Sequence, residues 1–177
     1  ERPKISLILR SVRRQGCGKG TFYNLMKALL GSEYCLETSV IDDLFGNFND
    51  SRVNKIFIAI DECSGTETFQ LTGKLKNAIT ESSFIANPKY GKRYELENYN
   101  SFVFYSNNER CIQVEIGNRR FWVIDVPNAT DTTFLADINT KFINDDNTIR
   151  AFYDYLIHKA EAEFKMDVSS FNFEEII

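Results

Sequence analysis

The sequence predicts an α/β domain built on a central, mainly parallel sheet, and three observations carry that expectation. Residues 5–9, 55–60 and 101–105 are nearly unbroken apolar runs, the pattern of strands buried on both faces. Between the first two lies a helical period, Phe22, Leu25, Met26 and Leu29, closed by Gly31. The second run ends in Asp61-Glu62 and the third in Ser106-Asn107, so polar chemistry collects where parallel strands finish.

At 177 residues the chain is expected to form one domain, residues 1–177, with a core that needs no covalent staples. Hydrophobic residues make up 43% of it and Phe alone fills 15 positions, which excludes a disordered chain. No apolar run is long enough to span a bilayer, so no membrane partner is expected and the cytoplasm is the expected location. The chain opens on Glu-Arg-Pro-Lys without an initiator Met, which suggests a piece of a longer protein. A net charge of −4 excludes a surface that is basic all over, so any nucleic-acid contact must be local. Cys17, Cys35, Cys63 and Cys111 form no C-x-x-C pair, and His158 is the only histidine, a set that does not make a zinc site.

In chain order, the first strand runs into Ser11-Val-Arg-Arg-Gln-Gly-Cys-Gly-Lys-Gly-Thr21 and then into the first helix. A glycine-rich corner there reads as a phosphate-binding loop, because the first-turn amides and the positive end of the helix dipole converge on one anion. The nucleotide-binding candidates are Gly16, Cys17, Gly18, Lys19, Gly20 and Thr21. Gly16 and Gly18 admit close backbone approach, Lys19 reaches β- and γ-phosphates, and Thr21 offers a hydroxyl to phosphate or to a magnesium-bound water. Arg13 in place of the first glycine and Gly20 after the lysine break the strict G-x-x-x-x-G-K-[ST] spacing, and an ordinary strand–turn–helix joint would use the same glycines.

Residues 32–54 are polar and aromatic, with a short helix at 40–45. At the end of the second apolar run, Asp61 is placed to hold a magnesium shell and Glu62 to polarise an attacking water, the alternative being a solvated strand end. Residues 64–79 read as loop and helix with Phe69, Leu75 and Ile79 inward. Residues 83–86 and 93–97 then flank Asn87-Pro-Lys-Tyr-Gly-Lys92 as a hairpin. Lys89, Tyr90, Lys92 and Arg93 crowd its tip, either as a soluble hairpin end or as a nucleic-acid contact. Asn107 either orients a lytic water or forms a turn. Arg119 and Arg120 precede a strand at 121–125 and are either surface charge or stabilisers of a transferring phosphoryl group. Helices at 132–143 and 148–164 close the domain, and Ile149, Phe152, Tyr153, Leu156 and Ile157 form a stripe expected to face the core.

In this order the phosphate loop, acid pair, basic hairpin, strand ending in Asn and arginine pair resemble superfamily 3 helicases of the AAA+ class. The nearer likeness is to the ATPase domains of phage, plasmid and large-DNA-virus primase–helicases. It covers residues 5–125 and is sharpened by Gly-Lys-Gly-Thr-Phe, Leu-Phe-Gly-Asn-Phe-Asn, Lys-Asn-Ala-Ile-Thr-Glu and Asn-Arg-Arg-Phe-Trp-Val-Ile. The resemblance implies a P-loop NTPase, AAA+-like three-layer fold with a β-hairpin insertion and C-terminal helices. It implies an ATP-driven DNA helicase or translocase motor of a replication protein. By it, Lys19 matches the Walker A lysine, Asp61 and Glu62 the Walker B pair, and Asn107 the polar end of motif C. Lys89 and Lys92 fall in the DNA-contacting hairpin, and Arg119 or Arg120 becomes an arginine finger serving a neighbouring subunit. ATP and Mg2+ are the implied cofactors, and single-stranded DNA and a self-associated ring, a hexamer, the implied partners. A viral or plasmid source would place the protein in the host cytoplasm.

Two other functions share these features. A small-molecule phosphotransferase also uses Gly-x-Gly-Lys-Gly-Thr, although no arginine-rich lid follows here. A nucleotide-binding assembly module without efficient hydrolysis would accommodate Arg13, but has no need of a base at Glu62.

Overall fold

A computed structural model of the chain describes residues 3–12, 16–61, 66–108, 117–127 and 132–163. Five strands, β1 (Ser6–Arg10), β2 (Cys35–Thr38), β3 (Phe57–Ile60), β6 (Ser101–Ser106) and β7 (Phe121–Asp125), form one sheet in the order β2-β3-β6-β1-β7. Every neighbouring pair in it is parallel. Strands β4 (Ser83–Ala86) and β5 (Tyr94–Glu97) make a separate antiparallel hairpin. The helices are α1 (Lys19–Leu30), α2 (Asp42–Phe45), α3 (Thr66–Thr80), α4 (Thr132–Asp137), which continues as a π-helix over Ile138–Ile143, and α5 (Asp146–Glu163). Among the described residues no helix is long and apolar enough to cross a membrane.

The apolar runs become the middle layer because a strand sends alternate side chains to opposite faces. Ile8, Ile58, Ile60, Phe102 and Phe104 pack on Leu44 and Phe45 of α2 and on Leu75, Ala78 and Ile79 of α3. Leu7, Leu9, Phe57, Ala59, Val103 and Tyr105 pack on Phe22, Tyr23, Met26 and Leu30 of α1. All four residues of β3 are buried, and each large side chain so buried contributes about 1.5–3 kcal/mol. Helix α1 stops at Gly31, whose φ of +95° is open to glycine and whose N–H caps the Lys27 carbonyl at 3.0 Å.

The hairpin is mounted rigidly at the amino end of the sheet. Buried Arg52 donates from Nε to Asn100 Oδ1 at 2.9 Å and lays its guanidinium over the Phe84 ring at 4.2 Å. Asn98 Nδ2 donates to the carbonyls of Ala78 and Glu81, and Asn49 Nδ2 to that of Ile85 at 2.9 Å.

Two features depart from the sequence pattern. Strand β2 was not visible there, because four residues on a sheet edge with only Cys35 buried are too short and too polar to show a period. The α5 stripe is a correction: Ile149 is buried and Phe152 meets Phe142 edge-on at 5.3 Å, but Tyr153, Leu156 and Ile157 are 43%, 39% and 42% exposed. A helical period marks an apolar face without saying how fully it is covered, and these three side chains are only partly covered. The side chain of Phe69 lies outside the described set.

Candidate functional site

Strand β1 lies inside the sheet, with its sequence neighbour β2 at one edge and the last strand β7 at the other. The winding therefore changes direction beside β1, and in open α/β sheets ligands bind outside the carboxyl ends of the strands at such a point. The corner is braced where β1 ends. Arg10 donates from Nε and Nη2 to the two Asp125 oxygens at 2.6 and 2.9 Å, and this hydrogen bonding holds the Asp125 carboxyl below its usual range.

Beyond Arg10 the loop turns on two glycines in left-handed conformation, Gly16 at φ +78° and Gly18 at φ +95°. Gly18 caps α1, and its carbonyl accepts the Phe22 N–H at 3.0 Å. A Cβ there would stand 3.2 Å from Leu135 Cδ2, so α4 presses directly on the loop. Lys19, the first residue of α1, reaches β6, donating to the Ser106 carbonyl at 3.3 Å and to Asn107 Oδ1. Thr21 Oγ1 accepts from Asn139 Nδ2 at 3.2 Å, and Asn139 also donates to the Leu135 carbonyl at 2.8 Å. Asn139 belongs to the π-helical segment, a distortion that recurs at functional sites.

A cleft of about 400 Å³ opens over these groups, lined by the loop from Gly16 to Thr21 and by Glu37, Asp61, Tyr105, Asn107 and Leu135. Glu37 is an exposed edge-strand residue, but partial desolvation where its carboxyl borders the cleft, and then the Asp61 carboxylate, push that carboxyl up, with Lys27 opposing. Burial, followed by Glu37 and Asp61, pushes the Tyr105 phenol up, so it stays protonated. A larger groove of about 1140 Å³ lies at the opposite end, between the hairpin base and residues 52–56. It holds none of the sequence-predicted residues, and the smaller cleft is where charge and glycine geometry converge.

Gly16, Cys17, Gly18, Lys19, Gly20, Thr21, Asp61 and Asn107 are thus brought together. Glu62 and Arg13 lie outside the described residues. Arg119 and Arg120 are not brought in. They precede β7 at the amino end of the sheet, where the Ser6 N–H donates to the Arg120 carbonyl at 2.7 Å. Arg119 is exposed, while Arg120 Nε is buried with no hydrogen-bond partner among the described residues. Lys89, Tyr90, Lys92 and Arg93 sit at the hairpin tip, with Tyr90 92% exposed and the Lys89 ammonium 5.6 Å from its ring centroid. The sequence reading missed Glu37, Tyr105, Leu135 and Asn139. Glu37 sits on the unforeseen β2, and Tyr105 reads as one more apolar position of β6.

The sequence pattern of a family of unknown function, DUF5906, matches residues 12–120. The chain belongs to the DUF5906 family. In this DUF5906 chain the matched span runs from the loop to the arginine pair and takes in every cleft residue except Leu135. A relative, the DNA primase-polymerase of Nitratiruptor phage NrS-1, is 29% identical over 119 residues, 65% of this chain and 16% of that protein. The A-form apo structure of the NrS-1 C-terminal region (305–718) matches with a TM-score of 0.70 and 26% identity, over 96% of this chain and 38% of that one. A second A-form apo structure of that region gives a TM-score of 0.71 at 27% identity, over 96% and 39%. The DUF5906 chain therefore spans well under half the length of each relative.

Proposed function

We propose that this DUF5906 domain is the ATP-driven motor of a DNA replication protein, a P-loop NTPase of the superfamily 3 kind that works on single-stranded DNA. One observation carries the reading: Lys19 and the left-handed glycines at the start of α1 meet Asp61 and Asn107 at the carboxyl ends of β3 and β6. The similarity to a phage primase-polymerase supports the replication setting.

The cleft suits a magnesium-bound triphosphate. Its volume lies within the range of small-ligand sites, roughly 300–1,000 Å³. The glycines let backbone amides face an anion, and among the described residues Lys19 donates to the Ser106 carbonyl and to Asn107 Oδ1, oxygens that a phosphate can replace. Bound Mg2+ supplies charge neutralisation on the transferring phosphoryl group. Asp61 would hold its water shell, Glu62 would accept the proton of the attacking water, and Asn107 would orient that water once Lys19 turns to the phosphates.

Arg119 and Arg120 stand a strand's length from their own cleft, so in this reading they act on the cleft of a neighbouring subunit in a ring, a hexamer. The hairpin, fixed by Arg52, Asn98 and Asn49, gives Lys89, Tyr90, Lys92 and Arg93 a stiff arm with which to follow a DNA backbone.

The test is ATP turnover by the full-length protein with and without single-stranded DNA. DNA-stimulated release of phosphate is expected. Turnover indifferent to DNA would overturn the motor reading, and conversion of ATP and AMP into ADP would replace it with a phosphotransferase.

A further inference from the structure

Two cleft residues, Glu37 and Tyr105, have no role in the proposed hydrolysis. Lys19 and Asn107 occupy the β6 side, and across from them β3 and β2 present Asp61 and Glu37, with Tyr105 beside them. The register explains the grouping. Glu37 pairs with Ala59 and Ala59 with Val103, while Asp61 and Tyr105 stand two residues beyond Ala59 and Val103. Period-2 alternation therefore turns all three side chains to the α1 face, where α1 begins at Lys19.

Tyr105 is only 1% exposed, yet its hydroxyl has no hydrogen-bond partner among the described residues. A buried hydroxyl at the wall of a polar cleft calls for an oxygen from a water or a ligand. The loop supplies a reason for one. Directly after the lysine, where a phosphate loop carries a Ser or Thr hydroxyl for magnesium, this chain has Gly20. The next hydroxyl, Thr21, already accepts from Asn139. Magnesium parts with its waters reluctantly and is commonly held by one or two carboxylates together with phosphate oxygens. Its remaining waters then need acceptors around them.

We propose that Glu37 and the Tyr105 hydroxyl anchor the water shell of the nucleotide's divalent cation alongside Asp61, in place of the hydroxyl that Gly20 lacks. The proposal rests on the nucleotide-cleft reading given above. Tyr105, a neutral hydroxyl, can accept from a shell water and donate onward to a carboxylate, while Glu37 accepts from shell waters at the rim. Both are positioning residues, since neither touches the reacting phosphoryl group.

Mn2+ serves as the probe, its binding to the full-length protein loaded with an unhydrolysable ATP analogue being read by paramagnetic resonance. Glu37→Gln should weaken Mn2+ binding about tenfold, the lower end of the scale for groups that support a metal's ligands. Tyr105→Phe should act in the same direction, and Glu37→Asp should recover part of the loss. Metal-free analogue should bind Glu37→Gln no more weakly than wild type, because removing a negative charge near phosphates does not loosen them. A merely structural role would weaken both, and that result overturns the proposal. Glu37 is exposed on an edge strand, so Glu37→Gln decides the matter even if Tyr105→Phe folds poorly. Equal Mn2+ affinity in wild type and Glu37→Gln overturns the proposal and leaves the nucleotide site standing. Failure of the wild type to bind the analogue at all overturns both.

Discussion

Three glycines within five residues of the loop should respond to the same substitution with different signs. Gly18 has φ +95° and a Cβ there would meet Leu135 Cδ2 at 3.2 Å, so Gly18→Ala incurs both backbone strain and a displaced neighbour. Left-handed strain costs about 1–2 kcal/mol and tight overpacking about as much again, so roughly 2–4 kcal/mol in total is expected. Gly16 has φ +78° but open space around it, which leaves strain alone, about 1–2 kcal/mol. Gly20 lies inside α1 in open space with no positive φ, so Gly20→Ala should stabilise by about 0.5 kcal/mol through helix propensity. Urea denaturation of the three variants measures the order, and calorimetry with an ATP analogue should show affinity lost in Gly18→Ala and kept in Gly20→Ala. Equal midpoints for Gly18→Ala and Gly20→Ala would refute the geometry of the loop and its contact with α4.

Three further outcomes are expected. Glu62→Gln should bind ATP nearly as wild type while turnover falls by about a hundredfold or more, the scale of losing a positioned base, measured by steady-state phosphate release. Changing Lys89 and Lys92 to Ala should lower the slope of log affinity for single-stranded DNA against log salt by about 0.7 per lost phosphate contact, with DNA-free turnover unchanged; an unchanged slope would leave these lysines as solubilising charge. Asp125→Asn should cost no more than about 1 kcal/mol at neutral pH, since the pair with Arg10 is largely solvated, the Asp125 side chain being 69% exposed. The lowered folded-state pKa makes that contribution complete above the ordinary aspartate value of 3.8 and lost as pH falls through the folded value, so denaturation midpoints of wild type and Asp125→Asn should converge in acid.

The parts of the fold that announced themselves in the sequence are those whose burial is two-sided or whose turn chemistry is strict. Residues 55–60 were legible because β3 serves both cores, and residues 83–97 because Pro88 and Gly91 bend the hairpin between short alternating runs. Lys19, Asp61 and Asn107 were legible as strand and helix ends, where polar residues interrupt apolar ones. Strand β2 was not, since an edge strand of Cys-Leu-Glu-Thr carries almost no pattern, and Glu37 was lost with it. Leu135 and Asn139 were hidden for another reason: their meeting with Gly18 and Thr21 spans more than a hundred residues of chain, a distance that local periodicity cannot bridge. Arg119 and Arg120 were legible as a pair, but their place at the far end of the sheet emerged only from the parallel register of β7 with β1.

The central claim is that the corner after β1 holds the phosphates of ATP, and Lys19 tests it most directly. Titration calorimetry of wild type and Lys19→Ala with magnesium and an unhydrolysable ATP analogue should show one saturable site in the wild type and none in the variant, with both equally folded by circular dichroism. The same affinity in the two proteins would mean that Lys19 bonds to β6 only as a structural brace, and that ATP, if it is bound, is held elsewhere.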